Sequence, residues 1–132
     1  MRIRTVKPEF FFDEELTALP HAVRLFFIGL WMQAVREGRF KERIGYLKAQ
    51  IFPYEEFDAE KALATLSPKF LVRYETDGVK LIQIRNFLKH QMPHYKEIPS
   101  TIPAPPGHKG STFFAEPLDE AIRTSIIGRD KK

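Results

Sequence analysis

A tight turn between two β-forming runs is the feature that most constrains this chain. Asp77 and Gly78 separate the runs LVRYET and VKLIQI, and both central positions of a two-residue hairpin turn need a positive φ that Asp and Gly tolerate. The turn predicts three cross-strand pairs: Thr76 with Val79, Glu75 with Lys80, and Tyr74 with Leu81. The second pair is complementary in charge, which favours the same register. We therefore predict a β-hairpin over residues 71 to 84.

A long apolar helix is predicted before the hairpin. Pro20 suits the first turn of a helix, and apolar residues from Leu25 onward surround most of the circumference up to about Arg36. We expect this helix to be central and buried, with Trp31 in the core. Its less apolar side is expected to carry Gly29, Gln33 and Arg36.

A short strand and a second helix are predicted next. Gly38 suits the left-handed cap that ends a helix, and Arg39-Phe40-Lys41 is long enough for a single strand. Residues 42 to 52 place apolar side chains at helical spacing and end at Pro53.

A third helix is predicted between Asp58 and Pro68. The Asp58 side chain is a suitable N-cap, and Pro68 closes the helix. Four apolar residues share the buried face: Ala59, Ala62, Leu63 and Leu66. The opposite face is expected to carry Glu60, Lys61, Ala64 and Thr65.

The N-terminal residues are predicted to form an extended segment and a short helix. Residues 3 to 6 alternate with basic residues, as in an edge strand or an extended arm. The acidic run Asp13-Glu14-Glu15 follows three phenylalanines and suits the first turn of a helix ending near Leu19. We interpret these carboxylates as helix-start residues and not as a catalytic pair.

The chain divides into three predicted parts. Residues 1 to 92 form the domain. Five of the ten prolines lie between positions 93 and 106, so residues 93 to 110 are predicted to be an extended Pro-rich arm or linker. Residues 111 to 132 form a tail in which Pro117 to Ile127 have the spacing of a short amphipathic helix.

The order of these elements predicts an α+β fold. Helix, short strand, helix, turn, helix and hairpin follow one another as in a winged helix-turn-helix domain, with the hairpin as the wing. Domains of this kind bind DNA or other proteins, so the fold alone leaves both functions open.

Six segments carry a resemblance to a known family. They are RIRTVKPEFFFDEEL at 2 to 16, RLFFIGLW at 24 to 31, EGRF at 37 to 40, KAQIFPYEEFD at 48 to 58, LVRYETDGVKLIQIRNFLKHQMPH at 71 to 94, and IPSTIPAPP at 98 to 106. In this order they resemble the N-terminal domain of phage and prophage replication-initiation proteins, also called replisome organisers. The resemblance implies a winged-helix domain that acts in replication, or its regulation, for a mobile element. It implies no catalysis.

The positive charge is concentrated in one segment. Residues 1 to 78 contain 12 Lys/Arg and 12 Asp/Glu, residues 79 to 110 contain 5 and 1, and residues 111 to 132 contain 4 and 4. An anionic partner is therefore expected at the hairpin and after it. We predict the DNA contacts to be Arg39, Lys41, Arg43 and Lys48 around the second helix, Lys61 on the third, and Lys80, Arg85 and Lys89 at the wing and its exit.

These contacts are expected to bind the DNA backbone. The outward face of the third helix lacks the Arg, Asn and Gln side chains that usually distinguish bases. Its entrance contains Glu55, Glu56 and Asp58, which repel phosphate. The alternative is a protein-interaction module that binds a host or phage protein, or a second copy through the C-terminal tail, and does not bind DNA.

Other function classes are not favoured by the sequence. The absence of cysteine excludes a disulfide framework, a thiolate zinc site and a cysteine nucleophile. His90 and His94 have metal-binding spacing on a helix, but Pro93 interrupts that helix. With no phosphate-binding glycine loop or nucleophile motif, we expect no enzyme activity and no cofactor. The longest apolar run, Leu25 to Met32, is too short to span a membrane, and we expect a cytoplasmic protein.

Overall fold

The computed structural model of the chain describes residues 1–91 and 101–106, except for the side chains of Lys89 and His90. The elements in chain order are α1 (Glu9–Phe12), α2 (Glu14–Thr17), α3 (His21–Gln33), β1 (Arg39–Lys41), α4 (Ile44–Ile51), α5 (Ala59–Leu66), β2 (Leu71–Thr76), β3 (Val79–Ile84) and α6 (Phe87–His90). The protein is α+β, and its element order is compatible with the predicted winged helix. His94 and the predicted helix at 117–127 lie outside the described residues.

The hairpin is confirmed in position and register. β2 and β3 are antiparallel, and their pairs include Thr76 with Val79, Glu75 with Lys80, and Tyr74 with Leu81. Asp77 and Gly78 have φ values of 53° and 79°, as the turn requires. β1 pairs with the other side of β3, so the sheet has the order β1-β3-β2.

The sheet has two unlike faces because successive strand residues point to opposite sides. What we call the inner face includes Phe40, Leu71, Ile82 and Ile84 of the hydrophobic core, and Arg73 and Lys80 occupy positions on the same face. The outer face includes Arg39, Lys41, Val72, Tyr74, Leu81 and Gln83, which the strand registers place on the opposite side.

Three helices pack against one another to form the other half of the core. They are α3, α4 and α5. Phe26 and Leu30 of α3 are fully buried, and Trp31 is 8% exposed. The Trp31 ring makes edge contacts with Phe10 and Phe27 at centroid distances of 5.6 and 5.4 Å. The prediction that Trp31 belongs to the core is confirmed.

Gly29 of α3 does not lie on a polar side, and that prediction is wrong. It is buried, and a Cβ atom there would come within 2.6 Å of the Ile51 side chain. The small residue lets α4 approach α3 closely, a tertiary contact that spacing within α3 does not reveal.

The arginines of the N-terminal segment cap the end of α3. The helix ends at Gln33 and not near Arg36, because Ala34 has an extended backbone with ψ of 147°. Arg2 Nη1 and Arg4 Nη2 both donate to the Ala34 carbonyl, at 3.1 and 2.9 Å, and Arg4 Nε donates to the Trp31 carbonyl at 3.1 Å. Cations satisfy the free carbonyls of a helix C-terminus well. Residues 2 to 6 therefore form an arm and not a strand.

The predicted acidic helix start is confirmed at α2. Asp13 Oδ1 accepts hydrogen bonds from the backbone N–H groups of Glu15 and Leu16, at 2.9 and 3.0 Å. The three phenylalanines before it form the separate turn α1. Phe10 enters the core, whereas Phe11 and Phe12 are 65% and 78% exposed.

The third predicted helix is confirmed as α5. Asp58 Oδ1 accepts from the Lys61 N–H at 3.0 Å, and the four predicted apolar residues are buried. α4 matches the second predicted helix but begins at Ile44. None of the helices in the described ranges combines the length and apolar character needed to cross a bilayer.

A clasp joins the two ends of residues 5 to 91. The Gln91 side chain accepts from the Thr5 N–H at 3.0 Å and donates to the Thr5 carbonyl at 2.8 Å. Gln91 directly follows α6, a short helix that was not predicted and that begins after Asn86 with φ of 58°. The chain thus enters and leaves this part of the fold at one point.

Candidate nucleic-acid interface

Three basic residues lie at one end of the sheet, and strand alternation places the Lys41 and Lys80 side chains on opposite faces. Lys41 lies opposite Leu81 on the strand next to β3, and the Glu42 N–H donates to the Lys80 carbonyl at 2.9 Å. Lys41, Arg43 and Lys80 are all exposed. We call these three residues the basic tip. Such a group of cations with access to solvent is suited to phosphate.

Arg43 is held beside an aromatic ring. Its guanidinium carbon lies 4.4 Å from the ring centroid of Tyr46, one turn into α4. A cation over an aromatic face is attracted by the ring electrons and loses little of its capacity to donate hydrogen bonds. Tyr46 therefore orients Arg43 without neutralising it.

A groove opens beside the basic tip. Its volume is about 340 Å³, and its lining includes Arg2, Lys41, Arg43 and Tyr46. The basic and aromatic side chains come from the N-terminal arm, β1 and α4, so the groove brings together residues distant in sequence. Arg2 was not among the predicted contacts.

The two predicted contacts on the helices differ in access. Lys48 of α4 is half-buried, whereas Lys61 lies on the exposed face of α5 together with Ala64 and Thr65. The approach to α5 remains acidic, because Glu55 and Glu56 are exposed in the turn before it. α5 therefore offers one cation beside several carboxylates.

Arg39 is placed inside the fold and not at the basic tip. It is 6% exposed, and its Nε donates to Gln83 Oε1 at 2.8 Å. Its Nη1 donates to the Ile102 carbonyl at 3.0 Å. The guanidinium is thus bound to protein groups in this structure.

The last two predicted contacts lie at the far end of β3. Arg85 lies five positions after Lys80, which corresponds to roughly 17 Å along a strand. Arg85 Nε donates to the Pro68 carbonyl at 2.9 Å, and Lys89 lies in α6. The structure therefore does not bring Arg85 into the basic tip.

Arg73 organises the charges between the sheet and α5, and sequence reasoning missed it. Its guanidinium bonds to both carboxylate oxygens of Glu42, at 2.9 and 2.7 Å, and reaches Glu60 at 3.2 Å. Hydrogen bonding to Glu42 raises the pKa of Arg73 above its ordinary value, burial opposes this, and Glu60 adds to the rise. The single positive charge of Arg73 offsets one of the two carboxylate charges that it bridges, so one negative charge remains in this group. A basic residue at an inner-face position of β2 was the available signal.

No group of three or more His, Asp or Glu side chains suited to a metal ion occurs among the described residues. No protein-family model matches the chain, and neither a curated protein nor a solved structure matches it.

Proposed function

We propose that this protein binds double-stranded DNA through the basic tip, as a winged-helix protein of phage origin that acts in replication initiation or its regulation. The observation that carries the proposal is that three exposed cations, Lys41, Arg43 and Lys80, lie at the same end of the sheet and border both of its faces. In this proposal the hairpin is the wing, and the protein acts in the host cytoplasm as a binding protein without a catalytic step.

The proposed contact is with phosphates and not with base edges. Lys and Arg at the basic tip supply point charges, whereas the exposed face of α5 presents Lys61, Ala64 and Thr65. The exposed carboxylates of Glu55 and Glu56 oppose deep entry of α5 into a groove of DNA. Affinity should accordingly depend strongly on salt and weakly on sequence.

The role in replication rests on the family resemblance of the sequence segments. Several of them coincide with elements that shape the proposed surface. EGRF ends in β1, and the segment at 71 to 94 contains the hairpin.

The experiment compares two double variants that remove the same charge. Lys41→Gln with Lys80→Gln alters the basic tip, and each lost phosphate contact should reduce the slope of log affinity against log salt by about 0.9. Lys7→Gln with Lys69→Gln removes two exposed lysines elsewhere and should leave the slope unchanged. Fluorescence anisotropy with duplex DNA at several salt concentrations measures both. Equal effects of the two variants would show that only net charge matters and would refute the proposal.

A protein-interaction module is the second candidate, and one observation favours it. Phe11 and Phe12 are adjacent, large and exposed, and exposed aromatic clusters are typical of protein contact surfaces. The acidic turn at Glu55 and Glu56 is a second exposed feature that could contact a protein and does not need DNA. Absence of any DNA binding at low salt, with wild-type folding, would favour this candidate.

A further inference from the structure

A Pro-rich segment is bound to the outer face of the sheet. Residues 101–106 have the sequence TIPAPP, and three of the six are prolines, which fix φ near −65°. Two strand side chains donate to consecutive carbonyls of this segment: Arg39 to Ile102 at 3.0 Å and Tyr74 to Pro103 at 2.6 Å. Polyproline II segments make no hydrogen bonds within themselves, so their backbone carbonyls are suited to accept from another surface.

The donor from β1 is also held by a side chain of the neighbouring strand. Gln83 lies directly opposite Arg39 and accepts from its Nε at 2.8 Å. The Gln83 amide in turn donates to the Glu37 carbonyl at 2.8 Å and the Ile84 carbonyl at 3.1 Å. Gln83 therefore holds the Arg39 guanidinium in a defined direction, and Nη1 is presented to the segment.

The donor from β2 stays protonated. Burial raises the pKa of Tyr74 to about 12, although the positive charge of Arg39 acts in the opposite direction. The hydroxyl is therefore a hydrogen-bond donor at neutral pH. Tyr74 lies opposite Leu81 in the sheet. The Leu81 side chain is only 2% exposed, although it is on the face of the sheet that points away from the helices.

The segment also contributes apolar contact. Pro105 is buried, and Ile102 and Ala104 are half-buried. An aromatic ring, an aliphatic surface and directed donors to carbonyls are the elements by which proteins recognise Pro-rich peptides in a polyproline II conformation. All of them are present on the outer face.

We propose that the outer face is a recognition surface for extended Pro-rich peptides, which this chain fills with its own residues 101–106 and which accepts a peptide of the same chemistry from a separate molecule. Arg39 and Tyr74 read two successive carbonyls, and the apolar surface around Leu81 accommodates proline rings. This surface adjoins the basic tip, because Lys41 lies opposite Leu81 and Ile102 lines the groove beside the tip, but its function does not depend on DNA binding.

The test weakens the binding of residues 101–106 to the outer face in the full chain. Pro103→Gly with Pro105→Gly removes the buried ring of Pro105 and increases the entropy lost on ordering at both positions, while Arg39 and Tyr74 remain. A fluorescent peptide of residues 100–107, STIPAPPG, should bind this variant and raise its melting temperature. The wild-type chain should bind the peptide at least about tenfold more weakly, because a tethered segment competes at high effective concentration.

The control removes the hydroxyl donor of Tyr74 and keeps its aromatic ring. Adding Tyr74→Phe to the glycine variant should weaken peptide binding roughly two- to tenfold, the effect of one neutral hydrogen bond. A peptide with glycine at its three prolines should bind more weakly than STIPAPPG. Circular dichroism verifies folding, and Pro103→Gly alone replaces the double variant if that one unfolds. A folded variant that does not bind the peptide, or binding insensitive to Tyr74→Phe, would overturn the proposal.

Discussion

The two faces of the sheet share three strands but are stabilised by different interactions. The inner face packs apolar side chains against α3, α4 and α5, and its contribution scales with buried area. The outer face holds residues 101–106 by directed hydrogen bonds, each of which contributes about 0.5–1.5 kcal/mol net. The alternation of residues along the strands therefore serves two purposes. The inner face determines whether the chain folds, and the outer face determines which segment it holds.

The largest loss of stability is expected from a substitution in the helices that pack against the inner face. Trp31→Ala should lower the free energy of unfolding by about 3–5 kcal/mol, since a large buried aromatic ring is lost from its contacts with Phe10 and Phe27. Denaturant titration measures this. Any loss of binding should follow from unfolding, so a variant with wild-type stability that fails to bind a ligand would place Trp31 at a contact surface.

Two neighbouring residues test the comparison directly. Ile82 and Leu81 are 0% and 2% exposed but lie on opposite faces. Ile82→Ala should cost about 4 kcal/mol, because the packed core cannot close the cavity. Leu81→Ala should cost about 2 kcal/mol, the free energy of transferring the lost apolar groups from water. No cavity cost is expected, because residues 101–106 can shift inward to fill the space. Equal costs would mean that the outer face is packed as rigidly as the core.

A smaller effect is expected from the buried guanidinium of the outer face. Arg39→Met keeps much of the apolar stem and removes the donors to Gln83 and Ile102, which should cost about 1–3 kcal/mol. Lys41→Met on the same strand is the matched control. Lys41 is exposed and should change stability by no more than about 0.5 kcal/mol. Thermal unfolding of both variants measures the difference.

The smallest effect is a dependence on alkaline pH. Burial raises the pKa of Tyr74 to about 12 from the ordinary value of 10.0, so the folded chain disfavours the phenolate more than the unfolded chain does. The stabilisation is complete below pH 10 and is lost as the pH rises from 10 to 12. Chemical denaturation across this range, with Tyr74→Phe as the control, isolates the contribution. Identical profiles for the two chains would contradict a role of this proton in holding the segment.

Local chemistry was sufficient to predict the hairpin and α5. A two-residue turn with positive φ at both positions restricts the sequence to few residue types, and Asp77-Gly78 satisfies it. The cap at Asp58 and the apolar spacing after it define a helix in the same local way. These features involve residues close in sequence, and no tertiary contact overrides them.

The parts that were not predicted depend on residues distant in sequence. Gly29 is buried because Ile51 approaches it, and Arg39 is buried because Gln83 and Ile102 accept its donors. Arg73 was missed as the bridge between Glu42 and Glu60 for the same reason. A count of charges identifies cations, but only the fold separates those that face solvent from those that bind the protein itself.

The clasp between Thr5 and Gln91 bears on whether the order of elements along the chain can be changed by circular permutation. Because the two residues exchange hydrogen bonds, a short peptide is long enough to join them, and new chain ends can be opened elsewhere. The exposed turn at Asp77-Gly78 is one place for such a circular permutant.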